Sequence, residues 1–210
     1  MRPSLSCLTD PAALLVGDAS AVINVNATGC ARDIFQALPH RVVLVDVVVA
    51  ELAAGQRRGR QDADLVSQFV AQGLLHIETL SDAATLYFEA LVVGQAAHTL
   101  DDGEAATIAH AVDRQGIALI DERKATRICA EHFPDLRVGC SVDILAHPAL
   151  QRHLGDETLA RAVFNALYHG RMRVFPHHLN WVVGLIGPDR AAMCTSLPQS
   201  VRVLPRVERS

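Results

Sequence analysis

Short apolar runs, separated by longer stretches of mixed apolar and polar residues, make up the first two thirds of the chain. The runs at residues 13–16, 42–45, 74–77 and 117–120 have the length of buried strands, and residues 137–138 suggest a short fifth one. The stretches between them repeat apolar positions at helical spacing and several end at Gly or Pro. This alternation predicts an α/β fold, a three-layer α/β/α sandwich around a central parallel sheet.

Helices are predicted between these strands, and the pattern changes near Gly155. The helices begin at about residue 19 and continue at residues 31–38, 47–54, 62–72, 82–93, 102–114, 122–132 and from 142. Beyond Gly155 only two helices are predicted, at residues 157–168 and 177–185, followed by an irregular tail. The pattern therefore predicts an α/β domain of residues 1–150 and a helical C-terminal extension of residues 151–210.

Apolar positions in the extension recur at helical spacing and need to be covered. Leu159, Val163 and Leu167 form one such stripe. We expect the two helices to pack on the α/β core or across a homodimer. Three arginines of the extension are then expected toward solvent, where they could hold an anionic partner: Arg161, Arg171 and Arg173. The alternative, which apolar stripes more often indicate, is that the two helices only stabilise the core and contact no such partner.

Four acidic residues stand where one predicted element gives way to the next: Asp18, Glu51, Glu104 and Asp121. Asp18 and Asp121 follow apolar strands, and the carboxyl ends of parallel strands form the clefts of open sheets. Carboxylates that converge repel one another and have raised pKa values unless a counter-charge is present. A hard cation such as Mg²⁺ or Mn²⁺ supplies that charge through oxygen ligands, which indicates phosphodiester chemistry.

Each acid also has a local structural explanation. Asp18 and Asp121 could cap the helices that follow them, and Glu104 lies three residues after Asp101, as in a capping box. Glu51 shares an apolar helix face with Val47, where a charge is rarely left without a partner. The common setting of the four favours function for Asp18, Glu51 and Asp121, whereas Glu104 fits either explanation.

Composition narrows the classes of function. Aromatic residues make up only 4% of the 210 residues, which argues against a platform for base stacking. The five cysteines include no CxxC pair, so a zinc or disulfide role is not expected from spacing. The longest apolar run, residues 42–54, is interrupted by Asp46 and Glu51, and Asp10 and Pro11 break any signal-peptide core. These features predict a soluble cytoplasmic protein with no membrane partner.

Charge is distributed unevenly along the chain. Residues 1–150 contain 11 Lys/Arg and 19 Asp/Glu, whereas residues 151–210 contain 8 and 4. The acidic part contains the four candidate ligands, and the basic extension could contact an anionic partner.

The four acidic segments together resemble the PIN-domain nucleases over roughly residues 14–150, and especially the short prokaryotic branch with toxin-like (VapC-related) members. DASAVI, VVVAEL, GEAATIAHA and LIDERKATRI match the family's four acidic segments in its order. The resemblance implies Asp18, Glu51, Glu104 and Asp121 as catalytic metal ligands for Mg²⁺ or Mn²⁺, with Ser20 orienting the first of them. It also implies metal-dependent hydrolysis of RNA, with an antitoxin protein as a further candidate partner.

The chain departs from the family pattern at two places. The third acid is Glu104 rather than the commoner Asp, which moves its carboxylate about one methylene outward. After the last strand stands Ser141-Val142-Asp143 in place of a small Thr-x-Gly, so that Asp143 could be a fifth, peripheral acid. Glu122 is expected beside the site, either solvated or supporting Asp121.

Two basic groups could contact RNA phosphates, although basic groups of this kind are also often merely solvated. They are Arg57, Arg58 and Arg60, and Arg123, Lys124 and Arg127. Two functions therefore remain open: an endoribonuclease, in particular the toxin of a toxin–antitoxin pair, and a PIN-like scaffold that binds RNA or protein with little catalysis. The presence of all four acids favours the nuclease. A different phosphotransfer domain would need an acid pair such as Asp-x-Asp, where this chain has Asp18-Ala-Ser20.

Overall fold

A five-stranded parallel sheet forms the centre of the molecule. The computed structural model describes residues 6–56, 59–95 and 98–202. The strand order is β3-β2-β1-β4-β5, so the chain changes direction across the sheet between β1 and β4. The strands are β1 (Leu15–Gly17), β2 (Val42–Val45), β3 (His76–Glu78), β4 (Ile117–Leu119) and β5 (Arg137–Gly139).

Buried apolar side chains explain why these segments form strands. β1, β2 and β4 are buried along their whole length, as expected for a sheet with helices on both faces. In β1, Leu15 joins the apolar cluster on one face and Val16 joins the cluster on the other. The three-layer α/β/α prediction is confirmed.

Eight helices connect or follow the strands of the sheet within the described residues. They are α1 (Ala19–Ala27), α2 (Ala31–Ala37), α3 (Asp46–Gln56), α4 (Asp62–Ala71), α5 (Asp82–Val92), α6 (Asp102–Asp113), α7 (Arg123–His132) and α8 (Ser141–Leu145). Helix α6 is buried from Gly103 to Ala111, because its small alanines let it lie against β1, β2 and β4. This packing brings the start of α6 to the carboxyl ends of those strands.

Two strands are displaced by about two residues from their predicted positions. β1 ends at Gly17, where a Cβ would lie 2.9 Å from Leu44 Cδ2, so the glycine lets the Leu44 side chain pack closely against the strand. β3 begins at His76 rather than at residue 74. Leu75 is instead buried in the connection that follows Gly73, whose φ is 70°.

The C-terminal helices pack on the same core as the sheet. Helix α9 spans Pro148–Tyr168 and is broken at Gly155, where φ is 72° and ψ is 164°. Leu159, Val163 and Leu167 are at most 2% exposed and join the cluster that contains Leu15. The predicted packing of this stripe on the α/β core therefore agrees with the structure, and the division of the chain at residue 150 stays a prediction.

The tail contains more helix than its sequence suggests. A 3₁₀ helix (Pro176–His178) leads into α10 (Leu179–Ile186), and α11 (Pro188–Met193) and α12 (Gln199–Arg202) follow. Pro188 is the first residue of α11, where its missing N–H and fixed φ suit a helix start. In the described part of the chain, no helix has both the length and the apolar character needed to cross a membrane.

Candidate active site

The four predicted carboxylates, from distant parts of the chain, line one cavity of about 320 Å³ together with Asp101 and Glu122. Asp18 directly follows β1 and Asp121 lies two residues beyond β4, so both stand at the carboxyl edge of the sheet. Glu51 comes from α3 and Glu104 from the first turn of α6. The cavity lies where the strand order changes direction, which is the usual place for a ligand site in an open α/β sheet.

Asp18 is held in place by the helix that it begins. It is the N-cap of α1 and is 5% exposed. Its Oδ2 accepts hydrogen bonds from Ser20 N at 3.2 Å and from Ser20 Oγ at 2.6 Å. Asp18 therefore caps α1 and lines the cavity at the same time, and Ser20 orients its carboxylate.

Asp121 is fixed by donors from two other elements. Its Oδ1 accepts from Ser141 N at 2.9 Å, and its Oδ2 accepts from Asn24 Nδ2 at 2.8 Å and from Ser141 Oγ. Asn24 was not among the residues predicted from the sequence. The signal for it was a polar residue on the otherwise apolar buried face of α1, beside Ala21 and Val25.

The start of α6 brings Glu104 and Glu51 together. Asp101 is the N-cap of α6, and its Oδ1 accepts from Glu104 N at 2.9 Å. The second half of a capping box, from the Glu104 carboxylate to Asp101 N, does not form among the described residues, and the Glu104 side chain lines the cavity instead. A Cβ at Gly103 would collide with Glu51 Oε2 and lie 3.5 Å from Asp18 Oδ1. Gly103 therefore makes room for the Glu51 carboxylate beside Asp18.

Burial raises the pKa of all four carboxyls, and nearby negative charges add to the shift. Burial is the main cause at each one. The negative charges of Asp101 and Asp18 add to it at Glu104, whose pKa is raised to about 8. At Asp18 the hydrogen bonds from Ser20 oppose the shift without cancelling it, and at Asp121 those from Ser141 and Asn24 do the same. The lining of the cavity contains more acidic than basic side chains.

Arginines from two regions stand around the acids. Arg60 lines the cavity and lowers the pKa of Glu51. Arg171 and Arg173, from the segment after α9, line it too, and Arg173 forms an ion pair with Glu122. Both arginines are exposed, as expected, but they face the acidic cavity, which the sequence did not reveal.

The structure describes three of the other basic residues that were predicted to contact RNA phosphates. Arg123 lines a neighbouring cavity with Asp121 and Arg173, and the charge of Lys124 lowers the pKa of Glu104. Arg127 forms an ion pair with Glu131 one turn away at 3.0 Å. Arg57 and Arg58 lie outside the described residues.

Asp143 belongs to a different polar cluster. It is 5% exposed, its Oδ2 accepts from Cys140 N at 3.0 Å and its Oδ1 accepts from Cys7 N at 3.1 Å. Burial alone would raise its pKa, but the His178 ring, the Cys140 thiol, which donates to Oδ2 at 3.1 Å, and the N–H of Cys7 outweigh burial and hold the pKa at about 2. Asp143 acts on Asp121 only through its charge, which adds to the raised pKa there.

The donor set of the cavity fits a hard divalent cation. The four carboxylates offer oxygen atoms, three of the four side chains are almost fully buried, and burial raises their pKa values, so a bound cation would offset the unfavourable burial of their charges. Mg²⁺ and Mn²⁺ prefer such oxygen ligands.

Comparison with known proteins identifies one family. A family model of the PIN domain matches residues 14–187. The match includes all four acids and extends into the C-terminal helices as far as the end of α10. Searches of curated proteins and of solved structures gave no significant match.

Proposed function

The chain belongs to the PIN-domain family, and we propose that it is a Mg²⁺- or Mn²⁺-dependent endoribonuclease that hydrolyses RNA phosphodiester bonds. The PIN domain is a nuclease-type fold. The observation that carries the proposal is the meeting of four carboxylates with raised pKa values in one cavity at the carboxyl edge of the sheet.

The carboxylates of Asp18, Glu51, Glu104 and Asp121 are the proposed ligands of the cation. When bound, the cation supplies a water of lowered pKa and a positive charge beside the phosphoryl oxygens. Ser20 keeps Asp18 oriented, and Asn24 and Ser141 keep Asp121 oriented, through the hydrogen bonds described above. Two ligands are thus held firmly at the strand ends.

Glu104 has a separate role in this proposal. With a pKa of about 8, its carboxyl holds a proton near neutral pH in the metal-free protein. It must lose that proton before it can serve as a ligand, so binding of a cation and deprotonation of Glu104 are coupled.

Arginines at the cavity are the proposed contacts for RNA phosphates. Arg60, Arg171 and Arg173 line the cavity that contains the acids. Contacts between arginine and phosphate give affinity without reading base identity. The specificity of the enzyme would then depend on the shape of the RNA around the scissile bond.

A cleavage assay on labelled single-stranded RNA tests the proposal. We expect the wild-type protein to cut RNA internally with millimolar Mn²⁺ or Mg²⁺ and to be inactive with a chelator. Asp121→Asn should lose about 100-fold or more of the activity, the lower end of what a positioned catalytic group contributes. Asp135→Asn, an exposed acid in the loop before β5, is the matched control and should keep full activity.

The assay also separates the proposal from its alternative. Equal cleavage by Asp121→Asn and wild type would contradict the proposed site. RNA binding without any metal-dependent cleavage would instead favour a PIN-like scaffold that binds RNA or a protein partner.

We further propose that the enzyme is the toxin of a toxin–antitoxin pair. Its support is the resemblance of the four acidic segments to the short prokaryotic branch with toxin-like members. A small adjacent reading frame that encodes the antitoxin is expected, and expression of the wild type alone should arrest growth whereas Asp121→Asn should not.

The homodimer also stays a prediction, which light scattering of the purified chain would check.

A further inference from the structure

A second group of metal-ligand side chains lies beside β5, outside the acidic cavity. Cys140 follows β5, Asp143 is in the first turn of α8, and His178 ends the 3₁₀ helix of the C-terminal region. All three residues are buried, and their ligand atoms lie within 4.8 Å of one another. They were not expected to bind a metal from sequence spacing, because His178 is far from the other two along the chain.

The separations within this group suit a tetrahedral ion. Cys140 Sγ lies 3.1 Å from Asp143 Oδ2, and His178 Nε2 lies 3.4 Å from Asp143 Oδ1. Ligands of tetrahedral zinc lie about 3.3 to 3.6 Å apart, given a Zn–S bond of about 2.3 Å and Zn–N and Zn–O bonds of about 2.0 Å. The two contacts are to different oxygens of Asp143, so its carboxylate would rotate as the three ligand atoms, which lie within 4.8 Å of one another, close around an ion.

His178 is an independent sign that something is bound here. Its side chain is completely buried, and within the described residues neither ring nitrogen makes a well-formed hydrogen bond, since the 3.4 Å approach of Nε2 to Asp143 Oδ1 is only a long polar contact. A buried polar group without a partner is unfavourable by about 1–3 kcal/mol. A bond from Nε2 to a metal ion would satisfy that nitrogen.

Asp143 is already oriented as a ligand would be. Backbone N–H groups of Cys7 and Cys140 each donate to one of its oxygens, and Oδ2 also accepts from the Cys140 thiol, a hydrogen bond that an ion bound to the thiolate would replace. Metal ligands are commonly held by hydrogen bonds of this kind. One thiolate and one carboxylate would also balance the two positive charges of the ion.

A cavity of about 300 Å³ gives access to the group, and its lining includes Cys7, Cys140, Asp143 and His177. A mixed sulfur, nitrogen and oxygen set favours Zn²⁺ over the hard cations expected among the four acids. We propose that Cys140, Asp143 and His178 form a zinc site whose fourth position, open to this cavity, is taken by water.

Such an ion would join the C-terminal region to the sheet. Cys140 and Asp143 belong to the end of β5 and to α8, whereas His178 belongs to the region after α9. The segment that precedes His178 carries Arg171 and Arg173 at the wall of the acidic cavity. Zinc would therefore stabilise the position of this wall, and the proposal does not depend on the nuclease function.

Cobalt substitution of the full chain tests this site. After removal of metal with a chelator, Co²⁺ should bind with a near-ultraviolet sulfur-to-cobalt charge-transfer band, which a site made only of carboxylates cannot give. Zn²⁺ should displace the cobalt at one equivalent per chain and raise the melting temperature. Cys140→Ser should abolish the band and weaken Zn²⁺ binding by about 100-fold or more, and His178→Gln should weaken binding too.

Cys129→Ser is the matched control, since Cys129 is a buried cysteine on α7 outside the group, and this variant should keep the band. The proposal is overturned if wild-type protein binds Co²⁺ without the sulfur band, or if Cys140→Ser keeps the band. The first outcome uses only the wild type, so it decides the question even if a variant fails to fold.

Discussion

Asp121 and Asp143 are buried to a similar extent and are both held by hydrogen bonds, yet the pKa values of their carboxyls are shifted in opposite directions. Asp121 is 4% exposed and bonds to Ser141, and Asp143 is 5% exposed and bonds to Cys140. The pKa of Asp121 is raised because burial outweighs its hydrogen bonds, whereas the His178 ring and nearby donors outweigh burial and hold that of Asp143 at about 2. Burial alone therefore does not decide the direction in which the pKa of a carboxyl is shifted.

The difference between the two surroundings indicates two different roles. The acidic cavity places carboxylates together with little compensation, an arrangement that lowers stability unless a cation binds. The group around Asp143 surrounds one carboxylate with donors, an arrangement that stabilises the fold. Substitutions in the two places should consequently affect different properties.

The largest expected effect is on catalysis in the acidic cavity. Asp18→Asn should lower RNA cleavage by about 100-fold or more. The melting temperature of the metal-free protein should stay unchanged or rise, because asparagine is as good an N-cap as aspartate and the substitution removes one repelling charge. Cleavage assays and thermal melts in chelator measure the two effects, and a large loss of metal-free stability would contradict this account of Asp18.

The fold and most of the site could be predicted from the sequence because each depends on local patterns. Apolar runs located the strands, and Asp18 and Asp121 follow two of them closely, whereas Glu51 and Glu104 lie on helices. Asn24 and the wall formed by Arg171 and Arg173 depend on how α1 and the C-terminal helices pack, which no local pattern shows. The group of Cys140, Asp143 and His178 was missed for the same reason, since the fold brings His178 to the end of β5.

The next effect is on stability at Asp143. Asp143→Asn should lower the free energy of unfolding of the metal-free protein by about 1–3 kcal/mol, because one oxygen that accepts backbone N–H donors is replaced by an NH₂ group. Urea denaturation in chelator measures the change. Asp135→Asn is the control and should unfold like the wild type. If Asp143→Asn were equally stable, the assigned role of these hydrogen bonds would be wrong.

A smaller effect is expected at Gly103. Gly103→Ala should raise stability by up to about 1 kcal/mol through helix propensity. It should lower cleavage about tenfold, because the new methyl group displaces the flexible end of Glu51 from its place beside Asp18. Thermal melts would show the gain in stability, and cleavage kinetics would show the loss of activity. Full activity would mean that cleavage does not depend on the position of Glu51.

The remaining expected effect is on the pH dependence of stability. In the metal-free protein Glu104 keeps its proton up to about pH 8, whereas its ordinary pKa is 4.5. Between these values the folded state binds more protons than the unfolded state, so stability falls as pH rises. Glu104→Gln should flatten this slope in melts from pH 5 to about 8.5 in chelator. An unchanged slope would show that Glu104 does not titrate in this range.

The most direct test of the central claim is to locate a bound cation. Crystals soaked with Mn²⁺ should give an anomalous-scattering peak among the carboxylates of Asp18, Glu51, Glu104 and Asp121, and the peak should disappear in Asp18→Asn crystals. Absence of a peak at these four side chains in wild-type crystals at millimolar Mn²⁺, or an identical peak in Asp18→Asn, would contradict the assignment of the cavity as a metal-dependent nuclease site.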